Sequence, residues 1–431
     1  MPLTRQGLGS FLRSIEQEPI WLASFIIFAL SFGLRLGLVF WRAEYLQIEL
    51  PEAAKIAQSL AQTGVFGNPY KLPTGPTAHS APAFPFLLSL VYRIFGEGQR
   101  GELAKEILST SVASLQYALL PIASVSIGLP ARVGVFGGLV GALFPFRFWL
   151  ETKGSLEQVY VALALLLAII GTGRAWQSQG GHIGSSVWSG ILWATAILCS
   201  ASLLPVFLLL LAVEVCVINR HNFGTRARYA AVLILTTGLL LIPWTARNYY
   251  QFKKVFLIRD NLGLELAVSN NDFAKPLLDE NVQMPQYHHP GGSVSEALKV
   301  QQMGEIAYNQ EQMREAVGWI RSHPSAFLRL TLLRIWYFWF PKMQRISQTV
   351  AYGFLTLLGL AGGWQAIRRK REAAWLIFSV WAAFPLIYYV IESADRYRYP
   401  IDWLILVTAA YCLDLLVVPR HGVEPLPAPS A

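Results

Sequence analysis

The acidic residues best placed for chemistry follow the first long apolar run of the sequence. Glu52 lies at the start of a short predicted helix just outside that run, close to Lys55, and a loop rich in Gly, Pro and Thr follows. A carboxylate in the first turn of a helix complements the helix dipole and needs no further role. The same carboxylate could also take a proton from a substrate hydroxyl, as a general base. Glu44 and Glu49 are competing carboxylates that periodicity does not dismiss.

A second acidic region is the turn between two later apolar runs, which contains Glu151 and Glu157. Arg147 precedes Glu151 by four residues, so an ion pair at the membrane surface is one interpretation. Two carboxylates in one short turn are also suited to binding an acceptor or a cation. The residues alone leave both interpretations open.

Three arginines lie at the ends of apolar runs, away from the main basic clusters. Arg247 ends one run, and Arg396 and Arg398 precede another. Such side chains can snorkel to the membrane surface, or their planar guanidinium groups can bind a phosphate through paired hydrogen bonds. Arg35, inside the first run, is a weaker candidate of the same kind, because a charge there is costly unless it meets an anion or reaches the surface.

No metal or nucleotide motif is evident. His288 and His289 form an isolated pair in a polar loop and predict no metal site. Cys199, Cys216 and Cys412 all lie within apolar runs, and their spacing fits neither a disulfide framework nor a zinc site. No Gly-rich nucleotide loop, nucleophile elbow or two-histidine zinc helix is present. Soluble nucleotide chemistry is therefore disfavoured.

The composition places these residues in a membrane protein. Of 431 residues, 54% are hydrophobic and only 14% are charged, and the mean hydropathy is +0.42. Apolar runs of about 20 residues, long enough to cross a bilayer, recur along the chain. The first has no small-residue cleavage site behind it, so we interpret it as a retained span. We predict an all-α polytopic bundle of about ten spans, at residues 20–41, 106–127, 133–150, 158–173, 187–202, 204–218, 229–246, 347–367, 373–391 and 400–418.

Two local features refine these spans. The stretch 187–218 is too long for one crossing, and Ser200 and Pro205 offer a break, so we interpret it as a short hairpin. Gly134 and Gly138, with the overlapping Gly137, are spaced as in closely packed membrane helices. Span 133–150 is therefore expected to pack tightly against its neighbours.

Basic clusters predict the orientation of the bundle, since Lys and Arg are enriched in cytoplasmic loops. One orientation with both termini inside places the following basic residues in the cytoplasm: Arg5, Arg13, Arg132, Arg174, Arg220, Arg226, Arg228, Arg368, Arg369, Lys370, Arg371 and Arg420. The net charge of +9 is thus attributed to orientation and not to nucleic-acid binding. The longest segments between the predicted spans lie on the outer face. The sequence shows no internal repeat of the kind that builds the two halves of many transporters. Both features favour chemistry on the outer face.

The outward segments define the predicted organisation. Residues 1–246 form a transmembrane module whose first outward loop, 42–105, is catalytic; 247–346 form a periplasmic segment, 347–418 the last spans and 419–431 a cytoplasmic tail. In the first loop, helices are expected at 51–61 and, lying in the interface, at 82–95. In the periplasmic segment, Ser293 and Glu296 form a capping box that starts an amphipathic helix ending near Pro324, and 327–340 form an interfacial belt.

Short motifs follow one another in a characteristic order from residue 41 to about 418. They are Glu-Ala-Ala-Lys-Ile-Ala at 52–57, Gly-Val-Phe at 64–66, Thr-Gly-Pro-Thr-Ala-His-Ser-Ala-Pro-Ala-Phe-Pro at 74–85, Pro-Trp-Thr-Ala-Arg-Asn-Tyr at 243–249, Asn-Leu-Gly-Leu-Glu-Leu at 261–266, Asn-Asn at 270–271, His-Pro at 323–324 and Arg-Tyr-Arg-Tyr-Pro at 396–400. In order and spacing they resemble bacterial family 39-like glycosyltransferases. These are GT-C fold membrane enzymes related to protein O-mannosyltransferases and lipid A aminoarabinose transferases.

The resemblance implies a sugar donor carried on a polyprenyl phosphate and an acceptor approached from the periplasmic side of the cell inner membrane. It implies that Glu52 is the catalytic base and that the second acid is Glu151 or, as the less favoured choice, Glu157. Where the family has a first-loop Asp, often followed by a second acid, this chain has Glu52 and Ala53. The nature of the acceptor, whether lipid, glycan or protein, and the use of a divalent cation therefore stay open.

The remaining site residues are assigned on the same basis. The predicted ligands of the donor phosphate are Arg247, Arg396, Arg398 and Lys55. The predicted contacts to the substrates are His79, Thr77, Asn248, Glu157 and Asn270. Because a polyprenyl phosphate leaves as a stabilised anion, the transfer needs one base and cations for the phosphate but no general acid. Attack from the side opposite the phosphate would invert the anomeric centre.

Two other function classes stay open at this stage. One is a flippase or transporter of lipid-linked sugars, and the other is a polysaccharide polymerase or ligase. A flippase should tolerate loss of Glu52 better than loss of the arginines, whereas an enzyme that uses Glu52 as base should not.

Overall fold

The computed structural model describes residues 19–145, 147–178, 183–216, 223–343, 345–369 and 371–417. The predicted cytoplasmic residues Arg5, Arg13, Arg220, Lys370 and Arg420, and the tail 419–431, lie outside these residues. In the described part of the chain the regular elements are helices, with two isolated bridges that pair Gly67 with Pro76 and Leu277 with Ser393.

The described residues of the first half of the chain form ten helices. In chain order they are α1 (Ile20–Arg42), α2 (Glu52–Thr63), α3 (Ala83–Phe95), α4 (Gln99–Ala118), α5 (Leu120–Ser126), α6 (Ala131–Leu143), α7 (Phe148–Thr152), α8 (Gln158–Gln177), α9 (Ile183–Cys199) and α10 (Leu204–Cys216). The second half contains α11 (Phe223–Phe252), α12 (Leu262–Ser269), α13 (Leu278–Val282), α14 (Val294–Met303), α15 (Glu305–Ser322), α16 (Pro324–Trp339), α17 (Ile346–Arg369), α18 (Arg371–Ala383), α19 (Leu386–Val390) and α20 (Tyr399–Val417). Short 3-10 turns lie at 44–46, 201–203 and 395–397.

Several helices are suited to a membrane. Among the described residues, five helices are long and apolar enough to cross one, namely α1, α8, α11, α17 and α20. The pair α4 and α5, bent by 42°, would raise this number to six if it forms one span. The other four predicted spans coincide with apolar helices of 10–17 residues. The predicted span positions thus coincide with helices of the structure. The lengths and compositions of these helices do not establish that ten of them cross the membrane. The chain is an all-α membrane protein.

Prolines and glycines break two helices that the sequence pattern joins. The predicted span 133–150 ends as a helix at Leu143 and resumes as the short α7, because Pro145 lacks the N–H that would continue the first helix. The predicted amphipathic helix from Ser293 is two helices, α14 and α15, since Gly304 lies between them with φ of +83°. Both single-helix predictions were wrong.

Two other expectations, a break within 187–218 and close packing at the glycines of α6, agree with the structure. The stretch 187–218 is broken into α9 and α10 by the 3-10 turn at 201–203. In α6, a Cβ atom on Gly134 would lie 2.2 Å from the carbonyl oxygen of Leu120, and one on Gly138 would lie 2.8 Å from that of Tyr117. Helix α6 therefore packs closely on α4 and α5 because it lacks these side chains.

The bundle has central and peripheral helices. Buried residues make up 78% of the apolar stretch of α8 but only 22% of that of α1. Helix α1 buries a single stripe, at Ile27, Ser31, Arg35 and Val39, and its other faces are available to lipid. Two ion pairs join helix ends at the side opposite the outward loops: Arg132 with Asp414 at 2.6 Å and Arg226 with Glu214 at 3.0 Å.

The two long outward segments pack against each other. The backbone N–H of Asp260 donates to the carbonyl oxygen of Ala78 at 3.0 Å, and that of Lys71 donates to Pro290 at 3.1 Å. The buried carboxylate of Glu305, at the start of α15, accepts hydrogen bonds from the Thr77 hydroxyl and, at 2.7 Å, from the Ala78 N–H. Residues far apart in sequence are thereby held around one space.

Candidate active site

A cavity of about 480 Å³ lies between the outward segments and the ends of the helices. Its polar lining comes from the first loop, the turn before α8, the stretch before α12 and the turn before α20. The charged and imidazole groups in that lining are Glu52, His79, Glu157, Arg259, Glu265 and Arg396. Apolar side chains from the end of α18 through α19, among them Phe384 and Ile387, also line the cavity. The cavity thus combines charged groups with an apolar wall.

Glu52 enters the cavity from the first turn of α2. Pro51 precedes it in an extended conformation, with φ of −63°, and the helix ends at Gly64 with φ of +74°. One oxygen of Glu52 lies 2.9 Å from Nε2 of His79, and the other lies 3.4 Å from Nδ1 of His289. Burial would raise the pKa of Glu52, but the two imidazoles outweigh it and hold this pKa well below its usual range. Glu52 is therefore a carboxylate at neutral pH.

His79 is fixed on both sides of its ring. Its Nδ1 lies 3.2 Å from the hydroxyl of Tyr70, and its backbone N–H donates to the hydroxyl of Thr77 at 3.0 Å. Burial lowers the pKa of His79, but Glu52 opposes this and raises it above its ordinary value. The imidazole is thus held in one orientation toward Glu52.

The two adjacent histidines of the second outward segment point in different directions. His288 is exposed, whereas His289 is partly buried and directed at Glu52. The three side chains of Glu52, His79 and His289 offer ligand atoms that lie within 4.8 Å of one another. In the described residues, this is the group with the composition and spacing to hold a metal ion.

Two arginines line the cavity. Arg259 donates from Nε to the side-chain oxygen of Asn261 at 2.6 Å and lies 3.8 Å from the carboxylate of Glu265. Arg396 lies in the 3-10 turn before α20, and its buried Nε has no hydrogen-bond partner among the described residues. Unsatisfied guanidinium donors in a cavity are suited to an anionic ligand.

Glu157 provides a second carboxylate in the cavity. It caps the start of α8, at the end of the turn where two acids were predicted. Burial raises the pKa of Glu157, and Arg259 and Arg396 oppose this because their charges favour the ionised form. Glu157 is therefore electrostatically coupled to both cavity arginines.

Glu151, the favoured second acid, lies outside the cavity. Its fully buried carboxylate forms an ion pair with Arg35 at 2.7 Å. It also accepts hydrogen bonds from the hydroxyls of Tyr117 and, at 3.0 Å, Tyr399. Arg147, the predicted partner, instead contacts Asp395 and Asp402, each at 3.1 Å. Glu151 is thus a structural ion-pair partner, because Arg35 in the first span needs a buried counter-ion.

Two predicted phosphate ligands are also structural. Arg247 donates to the backbone oxygens of Thr77 at 2.8 Å and Phe66 at 2.9 Å, and so holds the first loop. Arg398 is buried, donates to Asp402 at 2.8 Å and also contacts the hydroxyl of Thr356. Neither lines the cavity, since each guanidinium is used to join parts of the fold.

The remaining predicted ligands are placed in the same way. Lys55 donates to the backbone oxygen of Tyr70 at 3.1 Å, and Thr77 is bound to Glu305. Asn248 donates to the backbone oxygen of Ile258 at 3.3 Å. Asn270 accepts from Arg334 and donates to Val390, each at 3.0 Å. Of the predicted site residues, Glu52, His79, Glu157 and Arg396 line the cavity.

The sequence pattern did not identify Arg259 or His289. Arg259 lies two residues before the motif at 261–266, which is the one signal that could have drawn attention to it. His289 was noted only as half of an isolated pair. His289 contacts Glu52 of the first loop, and Arg259 lines the cavity together with that loop, although both lie about two hundred residues later in the chain. No local pattern encodes such proximity.

Comparison with known proteins bears on the fold. No protein-family model matches the sequence, and no curated protein has a significant sequence match to it. The structure is similar to the apo oligosaccharyltransferase of Archaeoglobus fulgidus, with a TM-score of 0.60 and 15% identity over 92% of this chain and 50% of that chain. It is also similar to oligosaccharyltransferase AglB of that archaeon in complex with an inhibitory peptide and a dolichol-phosphate, with a TM-score of 0.57, 15% identity and coverage of 91% and 50%.

These neighbours establish the architecture. Both are GT-C fold glycosyltransferases, so the predicted GT-C-like membrane bundle is confirmed. The chain spans about half the length of these solved structures. At this level of identity the likeness shows the fold alone.

Proposed function

We propose that this chain is a membrane glycosyltransferase that moves a sugar from a polyprenyl-phosphate-linked donor to an acceptor hydroxyl. The observation that carries the proposal is the cavity in which the Glu52 carboxylate and two arginines, Arg259 and Arg396, share one lining. The resemblance to bacterial family 39-like enzymes and the fold shared with oligosaccharyltransferases support it. One of those neighbours was solved with a dolichol-phosphate, which is a lipid of the same chemical class as the proposed donor carrier.

The proposed reaction uses few groups. Glu52 accepts the proton of the acceptor hydroxyl, and the acceptor oxygen forms a bond to the anomeric carbon. The bond between that carbon and the phosphate oxygen breaks, and the phosphate keeps the electron pair. Arg259 and Arg396 stabilise the departing anion. Attack opposite to the phosphate inverts the anomeric centre.

Glu157 has a positioning role in this proposal. Before the donor binds, its carboxylate balances the charges of Arg259 and Arg396. A donor phosphate would compete for the same guanidinium groups, which offer paired donors for phosphate oxygens. The phosphate ligands proposed here therefore differ from the sequence-based set in replacing Arg247, Arg398 and Lys55 by Arg259.

The apolar wall of the cavity fits the lipid part of such a donor. Phe384, Ile387 and Ile391 line it beside the charged groups. A polyprenyl chain is purely hydrocarbon, so burying it against these side chains is favourable. The sugar phosphate would then lie among the charged groups and the prenyl chain along the helices.

We further propose that this face is periplasmic, at the cell inner membrane. The pairs Arg132 with Asp414 and Arg226 with Glu214 gather basic residues at the opposite end of the bundle. Basic residues favour the cytoplasmic side. The cavity, formed by the loops at the other end, is then extracytoplasmic.

The direct test is incubation of the purified protein with a panel of polyprenyl-phosphate sugars, followed by measurement of released polyprenyl phosphate. Water can replace the unknown acceptor slowly, so release is expected from at least one donor even without added acceptor. The matched control is Glu49→Gln, because Glu49 is an exposed first-loop acid that pairs with Lys153 at 2.9 Å. If no donor gives release above that of a control without the protein, the proposed function is wrong.

A further inference from the structure

The chain that follows α11 exposes apolar side chains at the outward end of the bundle. Val255 is 72% exposed and Leu257 is 46% exposed, and the neighbouring Lys253 is exposed as well. We propose that residues 252–257 form a membrane contact, with Val255 and Leu257 at the boundary of the hydrocarbon layer and Lys253 among the lipid phosphates. The occupant of this surface is the phospholipid leaflet on the cavity side. The proposal concerns how the protein is seated in the bilayer and does not depend on the transfer reaction.

The length of α11 gives the level of this segment in the bilayer. Arg228 lies near the start of the helix, and a basic side chain at the end of a membrane helix reaches the lipid headgroups. Thr245 follows Arg228 by seventeen residues, which is about 26 Å along the axis at 1.5 Å per residue. The hydrocarbon layer of a bilayer is about 30 Å thick. Thr245 therefore lies close to the other boundary of that layer.

After α11 the chain turns back toward the membrane. The helix continues for about two turns beyond Thr245, and Lys253, with φ of +55°, follows its end. The hydroxyl of Thr245 lies 3.3 Å from the carbonyl oxygen of Leu257, and the indole N–H of Trp244 donates to the carbonyl oxygen of Ile258 at 2.8 Å. Leu257 is thus held beside Thr245, at the level of the hydrocarbon boundary, and not above the end of the helix.

Exposure alternates along the segment. Lys253, Val255 and Leu257 are exposed, whereas Phe252 and Phe256 are partly buried, with ring centroids 5.8 Å apart. The phenylalanines therefore pack on the protein, and the residues between them face outward. The outward side combines two apolar side chains with one ammonium group. This composition suits the boundary between hydrocarbon and phosphate, because a lysine can keep its charge at the headgroups while apolar neighbours enter the lipid.

The segment adjoins other surfaces suited to lipid. Tyr249 and Tyr250, at the end of α11, are 49% and 72% exposed, and tyrosines are enriched where a membrane meets water. Helix α3 lies next to this end, since the ring of Phe86 is 6.1 Å from that of Trp244. The exposed apolar stripe of α3 continues from Phe86 to Leu90, four residues later. A bilayer that covers these side chains also reaches the segment after α11.

The membrane contact has a consequence for the cavity. Arg259 follows Leu257 by two residues and lines the cavity. The intervening Ile258 is fixed to α11, because its carbonyl oxygen also accepts from the side chain of Asn248 at 3.3 Å. Lipid phosphates lie just outside the hydrocarbon layer. The contact therefore sets Arg259 near the level of lipid phosphates, which agrees with the proposed donor class without resting on it.

The test measures depth in the full-length protein, reconstituted in vesicles of phosphatidylethanolamine and phosphatidylglycerol. Cys216 and Cys412 are replaced by serine, and the buried Cys199 is kept. A nitroxide spin label is attached to Val255→Cys, and its relaxation by oxygen, which enters lipid, is compared with that by a nickel chelate, which stays in water. Oxygen should relax this label more strongly. The parent without an added cysteine gives the background, and size-exclusion chromatography checks folding.

Two further labels calibrate the measurement. Val294→Cys is the matched control, because Val294 is 53% exposed and lies in α14 of the second outward segment; the nickel chelate should relax it more strongly than oxygen. Leu239→Cys, at a 56% exposed position of α11, gives the value for lipid. A label at Val255 that behaves like that at Val294 would overturn the membrane contact. A label shielded from both reagents would also overturn it, since protein would then cover the segment. Neither result bears on the transfer assay.

Discussion

Replacing Glu52 by Gln is the most discriminating test of the proposed chemistry. The change keeps the size of the side chain and its contact with His79, but an amide cannot accept the proton of an acceptor hydroxyl. Donor binding should survive, because the proposed phosphate ligands Arg259 and Arg396 are unchanged. Turnover should fall, since Glu52 is the proposed acceptor of that proton.

The size of the effect follows from the environment of Glu52. A general base contributes roughly 10²–10⁴-fold in rate, which corresponds to about 3–5 kcal/mol in activation free energy. His79 and His289 hold the pKa of Glu52 below its usual range, so this carboxylate is a weaker base than an ordinary one. We therefore expect a loss near the lower end of that interval, on the order of 10²–10³-fold.

The assay is release of polyprenyl phosphate under single-turnover conditions, with donor affinity measured separately. Glu44→Gln and Glu49→Gln serve as controls, because both carboxylates lie outside the cavity and pair with Arg42 and Lys153. A Glu52→Gln enzyme that turns over within severalfold of wild type would refute the base assignment.

Four further predictions concern phosphate binding, stability and topology. Arg259→Gln and Arg396→Gln should each weaken donor affinity roughly ten- to a hundredfold, since a charge-assisted contact contributes about 1.5–3 kcal/mol; unchanged affinity in a lipid-binding assay would exclude that residue. Glu151→Gln should lower the free energy of unfolding by about 3–5 kcal/mol, because it leaves a buried cation unpaired, and an unchanged thermal midpoint would contradict this. Burial raises the pKa of Glu392 from an ordinary 4.5 to about 7, so the folded state binds the carboxyl proton more tightly than the unfolded state does. The stability that this proton contributes is complete below about pH 4.5 and is lost as the pH rises through about 7. Glu392→Gln should therefore match wild type at pH 4.5 and exceed its stability by up to about 3 kcal/mol at pH 8, whereas a difference independent of pH would argue against the assignment. A cysteine at Ser293 should react with an impermeant thiol reagent in intact cells, and labelling only after lysis would reverse the topology.

The sequence predicts most of the helices, because hydropathy and apolar run length are local properties. It was less successful where a single residue ends a helix. Pro145 lies inside an apolar run, and Gly304 lies inside an amphipathic pattern, so the surrounding periodicity conceals both breaks. Pro145 could have been used, as Pro205 was, to divide a predicted span. Proline removes a backbone donor in any sequence context.

The sequence predicted some of the residues that line the cavity but not all of them. Arg396 and Arg398 illustrate the physical reason. These arginines are two residues apart, yet one lines the cavity and the other is buried against Asp402. A signal for the second was present, since Asp402, in the first turn of α20, follows Arg398 by four residues, a spacing at which opposite charges can pair. No comparable local signal exists for Arg259 and His289, whose positions depend on how the two outward segments pack.

The pair formed by Arg35 and Glu151 has a consequence for the synthesis of the protein. The two residues are 116 positions apart, so at about 5–20 residues per second Arg35 waits roughly 6 to 23 seconds for its counter-ion. An arginine near the middle of a membrane helix disfavours insertion by roughly 2.5–3.5 kcal/mol. We therefore expect helix α1 to favour a protected, partly hydrated setting, such as the lateral opening of the insertion machinery, until α7 has been made. Its release into lipid is then coupled to the arrival of Glu151, which orders the assembly of the bundle from its first span.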